Sequence, residues 1–183
     1  MNEILIARLN DRCQPLDRGD LYEDPLAEAL EAAGLGEVTG GGSSFSPKGG
    51  IDFVDIEIAL SGDLEAGRKL VVEKLVELGA PKGSRLVLDD GQEVPFGKRE
   101  GVAFYFNIID VPTDIKDRFP LQDLADEFVE KLQDLGEMSS SWSNEQWVSV
   151  YFFGASYEEM ASVLSPYINE HPRCAGGRIE RIA

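Results

Sequence analysis

Asp52, Asp55 and Glu57 stand close together in the run IDFVDIEIAL, where strand alternation puts Asp55 and Glu57 on one face of a sheet. Paired carboxylates hold a divalent cation, or act as acid and base, when further ligands or a second titrating group stand beside them. The sequence fixes no histidine, lysine or third carboxylate beside that pair, and a chain with 34 acidic residues produces such pairs by chance. The expectation is a polar face or a recognition surface rather than a catalyst. His171 and Cys174 occur in NEHPRC at the end of a helical segment. A thiolate–imidazole nucleophile also needs an orienting Asn or Asp and oxyanion donors, and the sequence assigns neither. His171 is expected instead to cap the helix, an imidazolium facing the negative end of the dipole. Gly40-Gly41-Gly42 lacks the Gly-Lys-Ser/Thr and the helix start that a phosphate loop requires, so it reads as a bulged strand with another backbone close by.

The elements that must position these residues follow from periodicity and punctuation. Glu3–Leu9 is a β-prone run, and DRCQPLDRGDLYED after it reads as a loop. Asp24-Pro25 caps a helix with Leu26, Ala29, Leu30 and Ala33 on one side, stopped by Gly34 and Gly36. Strands at 37–45 and 51–60 flank the turn SPKGG, and in the second of them Val54, Ile56, Ile58 and Leu60 oppose Phe53, Asp55 and Glu57. Asp63 caps the next helix, with Leu64, Val71, Leu75 and Leu78 as its stripe, and Arg85–Leu88 follows as a strand.

After the charged, Gly- and Pro-containing stretch DDGQEVPFGKREG the same order begins again. Val102–Ile109 is a strand, and Leu121, Leu124, Phe128, Leu132 and Leu135 form a helical stripe. Strands at 137–143 and 147–153 pair as a hairpin, Ser156 caps a helix that Pro166 should kink or shorten, and Gly177–Ile182 closes the run. Leu35-Gly36-Glu37-Val38 recurs as Leu135-Gly136-Glu137-Met138 where helix yields to strand. The order β-α-β-β-α-β, read twice, predicts an α+β chain: a tandem duplication of a ferredoxin-like unit, with antiparallel sheets and helices on one face. The boundaries expected are 1–90 for the first unit, 91–100 for a linker and 101–183 for the second.

The strand at 147–153 carries Val148, Val150 and Phe152 on one face and Trp147, Tyr151 and Phe153 on the other. Two apolar faces imply that the units pack through their sheets, or that Trp147, Tyr151 and Phe153 form a contact patch. Trp142, in SSSWSN, is the better exposed anchor.

A net charge of −17 repels nucleic-acid phosphates and anionic lipid, and suits a basic protein partner. One histidine and two cysteines give no zinc spacing and no disulfide framework, so no metal and no cofactor is expected. MNEILIARLNDR lacks a basic n-region and no apolar run is long enough for a membrane span, which predicts a cytoplasmic protein with reduced thiols.

The runs EILIARLNDR, LDRGDLYEDPLAEAL, GLGEVTGGGSS, GAPKGSRL and RIERIA together resemble a family of small acidic bacterial proteins that look like immunity proteins of polymorphic toxin systems. The resemblance spans nearly the whole chain and brings no catalytic motif. It implies a non-enzymatic antitoxin that sterically blocks a cognate toxin domain. Partner contacts are expected at Asp52, Asp55, Glu57, Trp142, Glu145 and Tyr151, or, if the aromatic faces are sequestered, on the loops around Asp17, Asp20, Glu23 and Asp24. The alternative is a small-molecule-binding regulatory protein with a pocket between two ferredoxin-like units. A third reading is an enzyme using Asp55 and Glu57.

Overall fold

Alternation of apolar and polar residues in β1 (Asn2–Leu9) buries Leu5, Ala7 and Leu9 on one side and leaves Ile4 on the other, 67% exposed. The computed structural model describes residues 2–46 and 50–183. β1 is followed by α1 (Pro15–Arg18), a π-helical turn at Gly19–Glu23, and α2 (Asp24–Ala33). The stretch after β1 was expected as a loop and is largely helical, because Pro15 starts a helix and Asp11 organises the chain ahead of it. The buried Asp11 carboxylate accepts from the Cys13 amide at 2.9 Å and from the Tyr22 hydroxyl at 2.6 Å.

β2 (Gly36–Phe45), β3 (Ile51–Ser61), α3 (Leu64–Glu77), β4 (Ser84–Val87) and β5 (Glu93–Phe96) complete the first unit. The expected turn over SPKGG includes Pro47, Lys48 and Gly49, which lie outside the described residues. The sheet is antiparallel in the order β2-β3-β1-β4-β5. Leu26 and Leu30 of α2 and Val71 and Leu75 of α3 close on Leu5, Val54, Ile56 and Ile58, so both helices cover the same face. Asp63 caps α3 as expected, its Oδ1 accepting from the Ala66 amide at 3.1 Å. Glu93–Phe96, within the stretch expected as a linker, pairs with β4 as an edge strand, and the chain divides into units Met1–Lys98 and Arg99–Ala183.

The second unit contains β6 (Glu100–Asn107), α4 (Thr113–Arg118), α5 (Leu121–Leu132), β7 (Gly136–Ser143), β8 (Trp147–Gly154), α6 (Tyr157–Glu170) and β9 (Arg178–Arg181). Its antiparallel sheet runs β7-β8-β6-β9, and Phe104, Phe106, Phe128, Phe152, Met160 and Leu164 fill the space beneath α5 and α6. Ser156 caps α6, accepting from the Glu159 amide at 3.3 Å. Pro166 does not shorten that helix, which continues to Glu170.

Taken in chain order within each unit, β1 to β4 and β6 to β9 have the same arrangement, second-third-first-fourth, which is compatible with a ferredoxin-like fold. The phrase Leu-Gly-Glu marks equivalent points. A Cβ on Gly36 would meet the Ala59 carbonyl oxygen at 2.3 Å, and one on Gly136 the Phe153 oxygen at 3.0 Å, so each strand starts with its backbone against the neighbouring one. The register of β2 on β3 shifts between Val38 and Gly40, and that of β7 on β8 between Met138 and Ser140. Among the described residues no helix is long and apolar enough to cross a membrane.

Candidate functional site

Within each unit the residues expected to recognise a partner differ in exposure and in what holds them. Asp55 is held by Arg8 in a bidentate pair, Nε to Oδ1 and Nη2 to Oδ2 both at 2.8 Å, and that bond holds the guanidinium pKa above its ordinary value. The Arg8 guanidinium also lies over the Phe53 ring, 4.1 Å from its centroid. Asp52 is exposed, with an oxygen 3.9 Å from Arg12 Nη2, and Glu57 is exposed on the face it shares with Asp55. In the second unit Glu145 is exposed at the β7–β8 turn, whereas Trp142 is partly buried and not the exposed anchor expected. Tyr151 is 5% exposed, its hydroxyl accepting from Ser149 Oγ at 2.9 Å, and Phe153 is 2% exposed, so neither offers a contact patch. Among the alternative loop residues, Asp17, Asp20 and Asp24 are exposed and Glu23 is paired with Arg18.

Gly40-Gly41-Gly42 lies in β2 beside the register shift, as a bulged strand should. What approaches Gly41 is the Arg18–Glu23 ion pair together with the neighbouring strand. A Cβ there would lie 2.3 Å from Glu23 Oε1, 2.9 Å from the Asp55 carbonyl oxygen and 3.0 Å from Arg18 Nε. Among the described residues no group of three or more His, Cys, Asp or Glu side chains is placed to hold a metal ion.

The groups that do converge lie between α5 and the C-terminal half of α6. A cleft of about 400 Å³ is lined by Lys131, Val163, Pro166, Tyr167, Glu170 and His171. Val163, Pro166, Tyr167 and Glu170 follow i, i+3, i+4, i+7 spacing, one stripe of α6. Pro166 has no N–H, so the Ser162 carbonyl loses its donor four residues on. Tyr167 donates its hydroxyl to Glu127 Oε1, and Lys131 Nζ stands 4.0 Å from the same oxygen, one turn along α5. Burial, and then the bond to Glu127, push the Tyr167 phenol well above its ordinary pKa, so it acts as a neutral donor.

His171 ends α6 in extended backbone ahead of Pro172. Its expected capping role is real but points the other way: Nδ1 accepts from the Arg173 amide at 3.2 Å, capping the short 3₁₀ turn Pro172–Cys174. An Nδ1 that accepts leaves the neutral ring's proton on Nε2. Phe119 meets the ring edge-on at 4.8 Å and Tyr167 lies at 6.2 Å, which limits its rotation. Cys174 Sγ is 4.0 Å from Nδ1, but the thiol is buried and burial raises its pKa to about 12, so no thiolate nucleophile forms near neutral pH.

A second cleft, of about 570 Å³, lies in the first unit against Ala27, Glu31, Gly34, Gly36 and Glu37. Its lining contributes two carboxylates and no histidine or lysine among the described residues.

No protein-family model and no curated protein matches the sequence. Among solved structures the chain is similar to a protein of Fusobacterium nucleatum subsp. nucleatum ATCC 25586 described as a "putative monooxygenase", with 9% identity and a TM-score of 0.34 over 98% of this chain and 90% of that one. A Lactobacillus acidophilus NCFM protein of the same description gives 11% and 0.34 over 100% and 94%. A protein described as "anthrone oxidase-like" gives 15% and 0.27 over 98% and 89%. Likeness at this level leaves the activity of this chain to be argued from its own residues. The immunity-protein expectation is nevertheless corrected. Of the residues expected to bind a toxin, Asp55 is committed to an ion pair with Arg8 and Tyr151 is buried.

Proposed function

We propose that this chain is a small-molecule-binding protein and that its ligand occupies the cleft between α5 and α6. The observation that carries the reading is the cleft itself: about 400 Å³, within the range of small-ligand sites, with an apolar wall of Val163, Pro166 and Tyr167 and an oriented imidazole at one end. The hydrogen-bonding roles there are set before any ligand arrives, since Tyr167 is committed to Glu127 and His171 Nδ1 to the Arg173 amide. Pre-set donors reduce the ordering cost of binding.

We infer further that the chain arose by tandem duplication of one ferredoxin-like unit. The repeated strand order, the repeated Leu-Gly-Glu phrase and the register shift three residues after each of those glycines support this. In the first unit α3 contains no proline and ends before Leu78 and Gly79, so that copy keeps the scaffold without the imidazole.

The test uses His171, the chain's one histidine, whose ring resonances are assigned by elimination. Titration of a small-metabolite collection into the purified chain, read by imidazole ¹H–¹⁵N NMR, should find compounds that shift His171 saturably, with the effect abolished in Tyr167→Ala. Compounds that bind without disturbing His171 would place the site elsewhere and overturn the assignment.

A further inference from the structure

Arg173 is the anomaly of the second unit. The residue is 3% exposed, its Nη1 donates to the Asn107 carbonyl at 3.0 Å, and its Nε is buried with no hydrogen-bond partner. Among the described residues no carboxylate lies within ion-pairing distance of it, in a chain with 34 acidic residues against 17 basic ones. A buried guanidinium is ordinarily balanced by an opposite charge, because backbone oxygens replace only part of the hydration it loses. Burial accordingly pulls the pKa of Arg173 down.

This unbalanced charge belongs to the turn that orients His171, since the Arg173 amide is the donor that assigns the imidazole proton to Nε2. The ring therefore brings an N–H donor to the cleft, and Lys131 brings a second from α5. One carboxylate, that of Glu170, lines the cleft, and a second, Glu127, adjoins its lining residues. Glu127 already accepts from Tyr167 and stands beside Lys131, and Glu170 is exposed to water at the rim. The wall between the donors is apolar and aromatic.

We propose that the ligand is an aromatic carboxylate, its oxygens on His171 Nε2–H and the Lys131 ammonium, its ring against Val163, Pro166 and Tyr167, and its charge the missing counterpart of Arg173. The assignment rests on the cleft being the ligand site. Lys131 and His171 are contact residues. Arg173 does not line the cleft; it is a positioning residue, its backbone amide fixing the His171 ring and its buried guanidinium setting positive charge behind that turn, and substitution of its side chain tests the charge alone.

Benzoate, benzamide and benzylamine share one ring and differ in charge. Each is titrated at millimolar concentration into the full-length chain at moderate salt, with the His171 ring followed by NMR. Benzoate is expected to shift the Nε2 resonance saturably and to bind at least about tenfold more tightly than the other two, a difference of about 1.4 kcal/mol. Lys131→Met, at a side chain 47% exposed, should keep the fold and lose most of that preference. Arg173→Met should lose it as well, and Arg173→Lys should recover part of it; circular dichroism identifies any variant that unfolds, in which case the Lys131 variant decides. Benzamide or benzylamine binding at His171 as tightly as benzoate would overturn the anion assignment and leave the cleft standing. Failure of all three to move His171 would overturn the cleft as the site. Unchanged selectivity in a folded Arg173→Met variant would remove that residue from the mechanism.

Discussion

Glu3 brings a charge to the helix-covered side of the first sheet, where its side chain is 2% exposed, and Arg68 of α3 reaches down to meet it with two guanidinium nitrogens. Removing one partner of a buried pair leaves the other uncompensated, at a cost of about 3–5 kcal/mol, whereas an exposed pair is worth about 1 kcal/mol or less. Arg68→Met is therefore expected to destabilise the chain by roughly 3 kcal/mol in urea unfolding. Asp55→Asn, which loosens the more solvated Arg8 pair, should cost about 1 kcal/mol. Equal effects would show that burial does not separate the two. The thiols give a prediction in pH. Burial raises Cys174 from an ordinary value near 9 to about 12 and raises Cys13 as well. The folded state thus holds these protons more tightly than the unfolded chain does. That contribution is complete below pH ~9 and is lost as pH climbs toward about 12. Thermal melts should show stability falling over that window, with Cys174→Ser reducing the slope; a pH-independent melt would contradict it. The sequence displayed Asp55, Glu57 and His171 as residues of interest but not their partners, because Arg8 lies 47 positions from Asp55 and meets it only through the β1–β3 register.

At the scale of the element, the helix and strand starts with their own chemical signal were readable: Asp63 and Ser156 cap α3 and α6, and Gly34, with φ +64°, ends α2. What escaped lacked a local signal. β5 contains Pro95, which weakens a strand reading, and survives as an edge strand held by β4. The helical stretch before α2 depends on Asp11 and Tyr22 meeting across a turn, and the cleft on two helices 40 residues apart joined by Tyr167 and Glu127. His171 was visible, but the Arg173 amide that sets its tautomer was not a sequence feature at all. The run Gly40-Gly41-Gly42 in β2 tests how far local structure dictates residue type. A Cβ on Gly42 meets nothing within 4 Å, while one on Gly41 strikes the Asp55 carbonyl oxygen and the Arg18–Glu23 pair. Gly42→Ala should be neutral to slightly stabilising, whereas Gly41→Ala should cost about 1–3 kcal/mol through forced displacement of backbone and ion pair. Chemical denaturation of the two variants checks the contrast, and equal stabilities would mean that the ion pair moves aside freely.

For the whole molecule the dominant fact is the charge of −17 on 183 residues. Two electrostatic contributions oppose each other in such a chain. Pairs such as Lys69–Glu73, Arg178–Glu180 and Arg181–Glu158 stabilise it locally, but both partners are substantially exposed and each pair is worth only about 0–1 kcal/mol. The excess of carboxylates repels over longer distances and favours the expanded state, in which the charges lie farther apart. Salt weakens both, though not equally. Raising ionic strength from about 0.01 M to about 0.15 M shortens the screening length from about 30 Å to about 8 Å, which removes repulsion across the width of a domain while leaving contacts of 3–4 Å less affected. The melting temperature is therefore expected to rise with sodium chloride over that range, and to rise less in a variant with several exposed carboxylates converted to amides, such as Asp17→Asn, Asp20→Asn and Asp24→Asn together. Differential scanning calorimetry at the two salt concentrations is the measurement. A melting temperature that falls with salt would mean that the local pairs outweigh the repulsion, and would make the acidic surface a stabilising feature of the fold instead of a burden on it.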